Sequence, residues 1–148
     1  MKAIDFLSRA YLLNNQINTK LDQIRTLHAL ANRMSAVLDE SPVSRTRNVS
    51  AMEDAIARCM DAEAELESDV YRFFSIREEI TSLLNQICSE RYRLILEKRY
   101  LTFLSWEDIA NDMNISIRWA QIKHTEALKV VQGLLDSKEH AETPPGSQ

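Results

Sequence analysis

Breakers are almost missing from this chain: 148 residues contain two glycines, Gly133 and Gly146, and three prolines, Pro42, Pro144 and Pro145. Long stretches can therefore propagate helix without interruption, and strand signals are absent, so an all-α fold is expected. Cysteine is scarce too. Cys59 and Cys88 are expected on one helix roughly 43 Å apart at 1.5 Å rise per residue, which excludes a disulfide within the chain. No apolar run approaches the length of a membrane span, and Asp5, Ser8 and Arg9 interrupt any secretory core near the start, so a cytoplasmic protein with no membrane partner is expected. Catalysis lacks its usual groups. No Gly-rich phosphate loop, HExxH or GxSxG occurs, and His28, His124 and His140 lie in separate segments with no metal-ligand spacing to either cysteine. The expectation is no enzyme, no catalytic residue, no metal and no cofactor.

What the chain does carry is apolar periodicity. Ala10, Leu13, Ile17, Ile24, Leu27, Ala31, Met34 and Leu38 recur at gaps of three and four, with Lys20 the one interruption. A second seam runs through Met52, Ile56, Cys59, Leu66, Val70, Phe73, Ile80, Leu84 and Ile87, broken at Glu63 and Arg77. Ser50, with Glu53 three residues later, reads as a capping box opening the second helix. Between the seams, 39–49 is rich in Ser, Arg and Asn and holds Pro42, the expected connection. Residues 1–88 thus read as a long antiparallel helical hairpin, coiled-coil-like. Two such helices bury one stripe each, and Phe6, Tyr11, Leu12, Leu21, Leu30, Met60, Phe74, Ile76 and Leu83 lie beside the seams. That surplus apolar surface predicts a homodimer or higher homo-oligomer through these helices.

Residues 89–140 read differently. A basic helix over 89–101 places Leu94, Ile95 and Leu96 inside and leaves Arg91, Arg93, Lys98 and Arg99 for DNA phosphates. Then two short helices follow around a tight turn. Ser105 caps the first, with Asp108 in capping-box position and Glu107 at the positive end of the helix dipole. Ile109, Ala110 and Met113 form its apolar stripe; Asn114 stops it in the left-handed conformation, and Ser116 caps the next helix. This is a helix-turn-helix pattern. On the second helix Ile117, Ala120, His124, Ala127, Leu128 and Val131 fall on a packing side, while Arg118, Gln121, Ile122, Thr125 and Lys129 fall opposite. Arg suits guanine and Gln suits adenine, Ile122 and Thr125 suit a thymine methyl, and Lys129 and Ser116 suit phosphate. Residues 141–148, with both late prolines, read as a disordered tail.

From Arg93-Leu-Ile-Leu-Glu-Lys-Arg-Tyr-Leu through Ser105-Trp-Glu-Asp-Ile-Ala to Ile115-Ser116, His124 and Ala127-Leu128, the segment resembles sigma-factor region 4. It is more similar still to small phage and prophage regulators of the autolysin regulatory protein type. Lys123 and Trp119 depart from that pattern, standing where an apolar and a polar residue are usual. The resemblance implies a phage-derived, sequence-specific transcription regulator in a bacterial host, acting on double-stranded DNA and conceivably on RNA polymerase. A phage DNA-packaging adaptor of the small-terminase kind and a coiled-coil scaffold without DNA binding are the alternatives. The net charge of −4 concentrates on the second long helix, where Asp61, Glu63, Glu65, Glu67, Asp69, Glu78 and Glu79 cluster, a surface suited to a basic partner.

Overall fold

In the computed structural model, which describes residues 1–38 and 45–142, every regular element is a helix: α1 Ala3–Leu38, α2 Arg45–Leu84, α3 Glu90–Tyr100, α4 Trp106–Met113 and α5 Ile117–Glu142. Among the described residues there is no strand, and no helix is long and apolar enough to cross a membrane. Two boundaries differ from the sequence expectation. Helix α2 starts at Arg45 rather than at Ser50, because the mostly polar residues from 45 to 49 contain no breaker, and polarity alone does not stop a helix. Residues 39–44 of the expected connection lie outside the described residues. At the other end α2 stops at Leu84, so Ile87 and Cys88 are not on it. Gln86 N–H donates to Leu83 O and Ile87 N–H to Leu84 O, tightening the last turn, and Ser89 then caps α3 by accepting from Tyr92 N–H. The two cysteines are free, Cys59 buried and Cys88 exposed. Helix α5 continues through 141–142, the first residues of the expected tail; 143–148 lie outside the described residues.

The chain forms two compact units, Met1–Leu12 with Phe74–Gln148, and Leu13–Phe73. The sequence boundary between 88 and 89 follows the change in periodicity, whereas the compact grouping puts the outer ends of both long helices with α3, α4 and α5.

Within Leu13–Phe73, α1 and α2 run antiparallel, since Lys20 pairs with Asp69 while His28, further along α1, meets the earlier Glu63 at 3.1 Å. From Leu13 to Met34 the α1 seam is as read from the sequence: Leu13 and Ile24 are buried, and Ile17, Leu27, Ala31 and Met34 half-buried, while the Leu38 side chain lies outside the described side chains. The α2 seam differs. Ala55 is buried and Ile56 is 43% exposed, and Ala62 and Asp69 also face inward. The inward positions Met52, Ala55, Cys59, Ala62, Leu66, Asp69 and Phe73 alternate gaps of three and four without a break. Choosing the larger side chain at each step hid this register, because the structure uses two alanines and an aspartate where the larger neighbours lie outside.

Asp69 explains Lys20. The one polar residue of the first seam meets the one carboxylate of the second, and Lys20 Nζ also lies 3.6 Å from Glu65. The hydrogen bond from Lys20 to Asp69 raises the ammonium above its ordinary pKa. A single charged pair inside a seam favours the one register in which both partners meet, since sliding by a turn would strand each.

The other unit has a closed core. Ile95 and Leu96 of α3, Ile109 of α4, and Ala120, Ala127 and Val131 of α5 are fully enclosed, together with Leu7 and Ala10 at the start of α1 and Ile80 and Leu84 at the end of α2. Fully burying a Leu or Ile side chain contributes about 1.5–3 kcal/mol, so α3, α4 and α5 are held chiefly by these residues. Gln132 of α5 accepts from Ala3 N–H at 2.8 Å and donates to Met1 O at 3.2 Å, satisfying backbone at the free start of α1.

Candidate nucleic-acid interface

Helices α4 and α5 are joined by Asn114, Ile115 and Ser116, and each end of this turn is chemically fixed. Ser105 Oγ accepts from Asp108 N–H at 3.2 Å, starting α4. Its end is a Schellman closure: Asn114 has φ 54° and ψ 44°, its N–H reaches Asn111 O, and Ile115 N–H reaches Ala110 O at 3.0 Å. Asn tolerates this left-handed backbone at smaller cost than most side chains. Ser116 Oγ then accepts from Trp119 N–H at 3.0 Å, opening α5.

The buried side of α5 runs through Ala120, Ala127, Val131 and Leu135. His124 lies on the same side, half-buried. Its Nε2 is 2.6 Å from the Tyr100 hydroxyl, and the Trp106 ring meets it edge-on at 4.7 Å. Burial, followed by the nearby Arg99 guanidinium, lowers the His124 pKa to about 4. The ring is therefore neutral at pH 7, and its Nε2 shares one hydrogen bond with the tyrosine hydroxyl. A cavity of about 540 Å³ touches this cluster, lined by Tyr11, Tyr100, Phe103, Trp106 and His124 among others, so the imidazole is only partly removed from water. Ile117 is a correction to the expected packing side: it is 45% exposed. Its angle around the helix is suitable, but it is the first residue of α5, one turn ahead of Ala120, where burial begins.

Arg118, Gln121, Ile122, Thr125 and Lys129 are all exposed, and Ile122 presents 42% of its surface. Among the described residues the side chains of Arg118, Gln121 and Lys129 meet no hydrogen-bond or ion-pair partner, so their donors remain available. Thr125 differs, because its hydroxyl donates to Gln121 O at 3.1 Å within the helix.

Trp119 and Lys123, the two departures from the resembled pattern, turn out to be neighbours. Lys123 Nζ sits 4.5 Å from the Trp119 ring centroid and 3.1 Å from Glu126, whose carboxylate also accepts from the Tyr92 hydroxyl at 2.7 Å. The hydrogen bond from Tyr92, then that from Lys123, lowers the Glu126 pKa, and the same contact raises that of Tyr92. Lys123 thus belongs to a chain of polar contacts that ties α5 to α3.

The basic residues of α3 divide. Arg93 reaches Ile87 O at 3.4 Å, Lys98 pairs with Asp112 at 3.4 Å, and Arg99 donates to Leu104 O at 3.0 Å and stacks on Trp106 at 4.8 Å. Arg91 is exposed and has no such partner among the described residues. The sequence shows four cations; only the fold separates Arg91 from the three that brace helix ends and turns. The acidic cluster of α2 is similarly reduced: Asp69 is buried, Glu65 pairs with Lys20, Glu63 with His28, and Glu79 with Arg9 at 3.2 Å.

Sequence spacing missed one grouping altogether. His28, Cys59 and Glu63 stand together within Leu13–Phe73, although 31 residues separate the histidine from the cysteine. The signal available was that Cys59 and Glu63 are four apart on one helix, hence on one face; the histidine arrives from the other helix.

Comparison with protein-family models, with curated proteins and with solved structures finds no match to this chain.

Proposed function

We propose that the chain is a sequence-specific DNA-binding regulator of transcription, of the phage-derived kind, whose α4 and α5 form a helix-turn-helix with α5 as the reading helix. The observation that carries this reading is the division of α5 into two sides. Ala120, His124, Ala127 and Val131 anchor it from behind, while Arg118, Gln121 and Ile122 stand free at its start, where a reading helix meets base edges. The fixed caps matter because base-edge hydrogen bonding demands a rigid presentation, and a fraying first turn would lose Arg118 and Gln121 first.

Arg118 is assigned to guanine, Gln121 to adenine, and Ile122 with Thr125 to thymine methyl groups. Lys129 and Arg91 are the phosphate contacts; Ser116 serves as a cap, and Arg93, Lys98 and Arg99 keep their internal partners. With so few phosphate contacts and a net charge of −4, affinity falls with salt on a shallow slope. Self-association is part of the reading, since two reading helices match two half-sites. Ile56, Met60 and Tyr71 lie at 43%, 64% and 69% exposure on α2 and supply an apolar face for it. For a basic partner such as RNA polymerase, Asp61, Glu67 and Glu78 are the members of the acidic cluster left exposed without an ion pair among the described residues.

Selecting bound fragments from phage and host genomic DNA tests the reading. A recovered palindromic site, together with dimeric mass in sedimentation, is the expected outcome. No enrichment of any site would end it, and a closed ring of many subunits would favour the packaging adaptor.

A further inference from the structure

We propose that His28, Cys59 and Glu63 form a three-donor site for one divalent transition-metal cation of the zinc type, tying α1 to α2 within Leu13–Phe73, with water completing the coordination. This is independent of the DNA-binding reading.

Distances carry the case. Cys59 Sγ lies 3.2 Å from His28 Nε2, Glu63 Oε1 lies 3.1 Å from the same nitrogen, and sulfur and oxygen are 3.8 Å apart. A tetrahedral ion with metal–nitrogen and metal–oxygen bonds of about 2.0–2.1 Å and a metal–sulfur bond of about 2.3 Å requires donor separations of about 3.3–3.6 Å. All three edges are within a few tenths of an ångström of that requirement. Small rotations of exposed side chains suffice, because His28 and Glu63 side chains are 58% and 52% exposed. Cys59 is 7% exposed and forms the floor, so an ion enters from the solvent side and meets the thiol last.

The way the donors converge distinguishes a metal site from the two other uses of such a trio. In a nucleophile relay, the carboxylate orients the imidazole through the nitrogen opposite the one facing the thiol. Here thiol and carboxylate both face Nε2, and among the described residues nothing orients Nδ1. In a purely structural cluster, the thiol proton goes to Glu63, and Nε2 faces both groups with at most one proton of its own. A divalent cation accepts a lone pair from all three donors at once, which neither of those arrangements requires of them. The binding step is balanced simply: the cation exchanges water for imidazole nitrogen, carboxylate oxygen and thiolate sulfur, and the Cys59 proton passes to buffer.

Cobalt(II) provides the probe, because its thiolate complexes absorb in the near ultraviolet and its tetrahedral complexes in the visible. The full chain carrying Cys88→Ser, which removes the exposed thiol, is titrated under reducing conditions. The expected result is one equivalent bound with both bands and release of one thiol proton, displaced by zinc, and released by acid as the thiolate takes a proton back. Cys59→Ser should abolish the near-ultraviolet band, and His28→Gln or Glu63→Gln should weaken binding at least tenfold, each variant keeping parental helicity by circular dichroism. Zinc should raise the melting temperature of the Cys88→Ser chain and not of Cys59→Ser. Absence of stoichiometric cobalt binding, or bands unchanged by Cys59→Ser, would overturn the site; uptake equal in all variants would mean an adventitious ion only.

Discussion

The two compact units solve the same problem, burying apolar surface with helices alone, in opposite ways. Around α3, α4 and α5, short helices are stopped by specific caps, and Ile95, Leu96, Ile109 and Val131 lose all contact with water. In Leu13–Phe73, two long helices share one stripe, many seam residues stay half-exposed, and polar groups occupy the seam itself. The first arrangement is stabilised by enclosure and fixes side chains in place. The second is held more thinly and depends on pairwise matches: Lys20 with Asp69, His28 with Cys59 and Glu63.

That contrast fixes where substitutions hurt. Ile95→Ala should cost about 2–5 kcal/mol in urea unfolding, because an enclosed isoleucine leaves a cavity. Ile17→Ala, in a half-exposed seam position, should cost only about 1–2 kcal/mol. Equal losses would erase the distinction. Replacing Asp69 alone with Leu should lower the melting temperature by leaving Lys20 facing an apolar seam, and adding Lys20→Met should recover most of the loss; no recovery would deny the pair its register role.

His124 sharpens the comparison by pH. Its folded pKa of about 4 lies below the ordinary 6.5, so the unfolded chain binds the proton more tightly. Its contribution is complete above pH 6.5 and is lost as pH falls toward 4. The full shift corresponds to about 3 kcal/mol, and with water reaching the half-buried ring about 1–2 kcal/mol remains. His124→Gln should flatten the stability curve over that interval, and an unchanged curve would remove the assignment. The smallest effect concerns the turn. Ser116→Ala should cost about 0.5–2 kcal/mol through the lost cap, whereas Asn114→Gly should be neutral within a few tenths or stabilising, since glycine enters the left-handed region freely.

Legibility followed the same division. Ser105, Asn114 and Ser116 announced the α4 and α5 boundaries because a cap is a local event, decided by one side chain and three backbone groups. The α1 seam was equally legible, its apolar residues large and regular. Helix α2 was not, since Ala55 and Ala62 pack inward while Ile56 stays out, and size is a poor guide when two backbones approach closely. Asp69 read as a solvated charge because its partner lies 49 residues away. The same non-local pairing concealed His28 beside Cys59 and Glu63 and Lys98 beside Asp112, whereas Arg93 and Arg99 turn back to nearby backbone carbonyls that a side-chain reading does not weigh.

The most direct test of the central claim is competition binding of the parent chain and the Arg118→Ala and Gln121→Ala variants to a selected site and to a scrambled duplex, at fixed salt. The account predicts that each variant loses about 1–3 kcal/mol of binding to the selected site, roughly 5- to 150-fold, with scrambled-duplex affinity changed far less. Equal affinity of parent and variants for the selected site would contradict it.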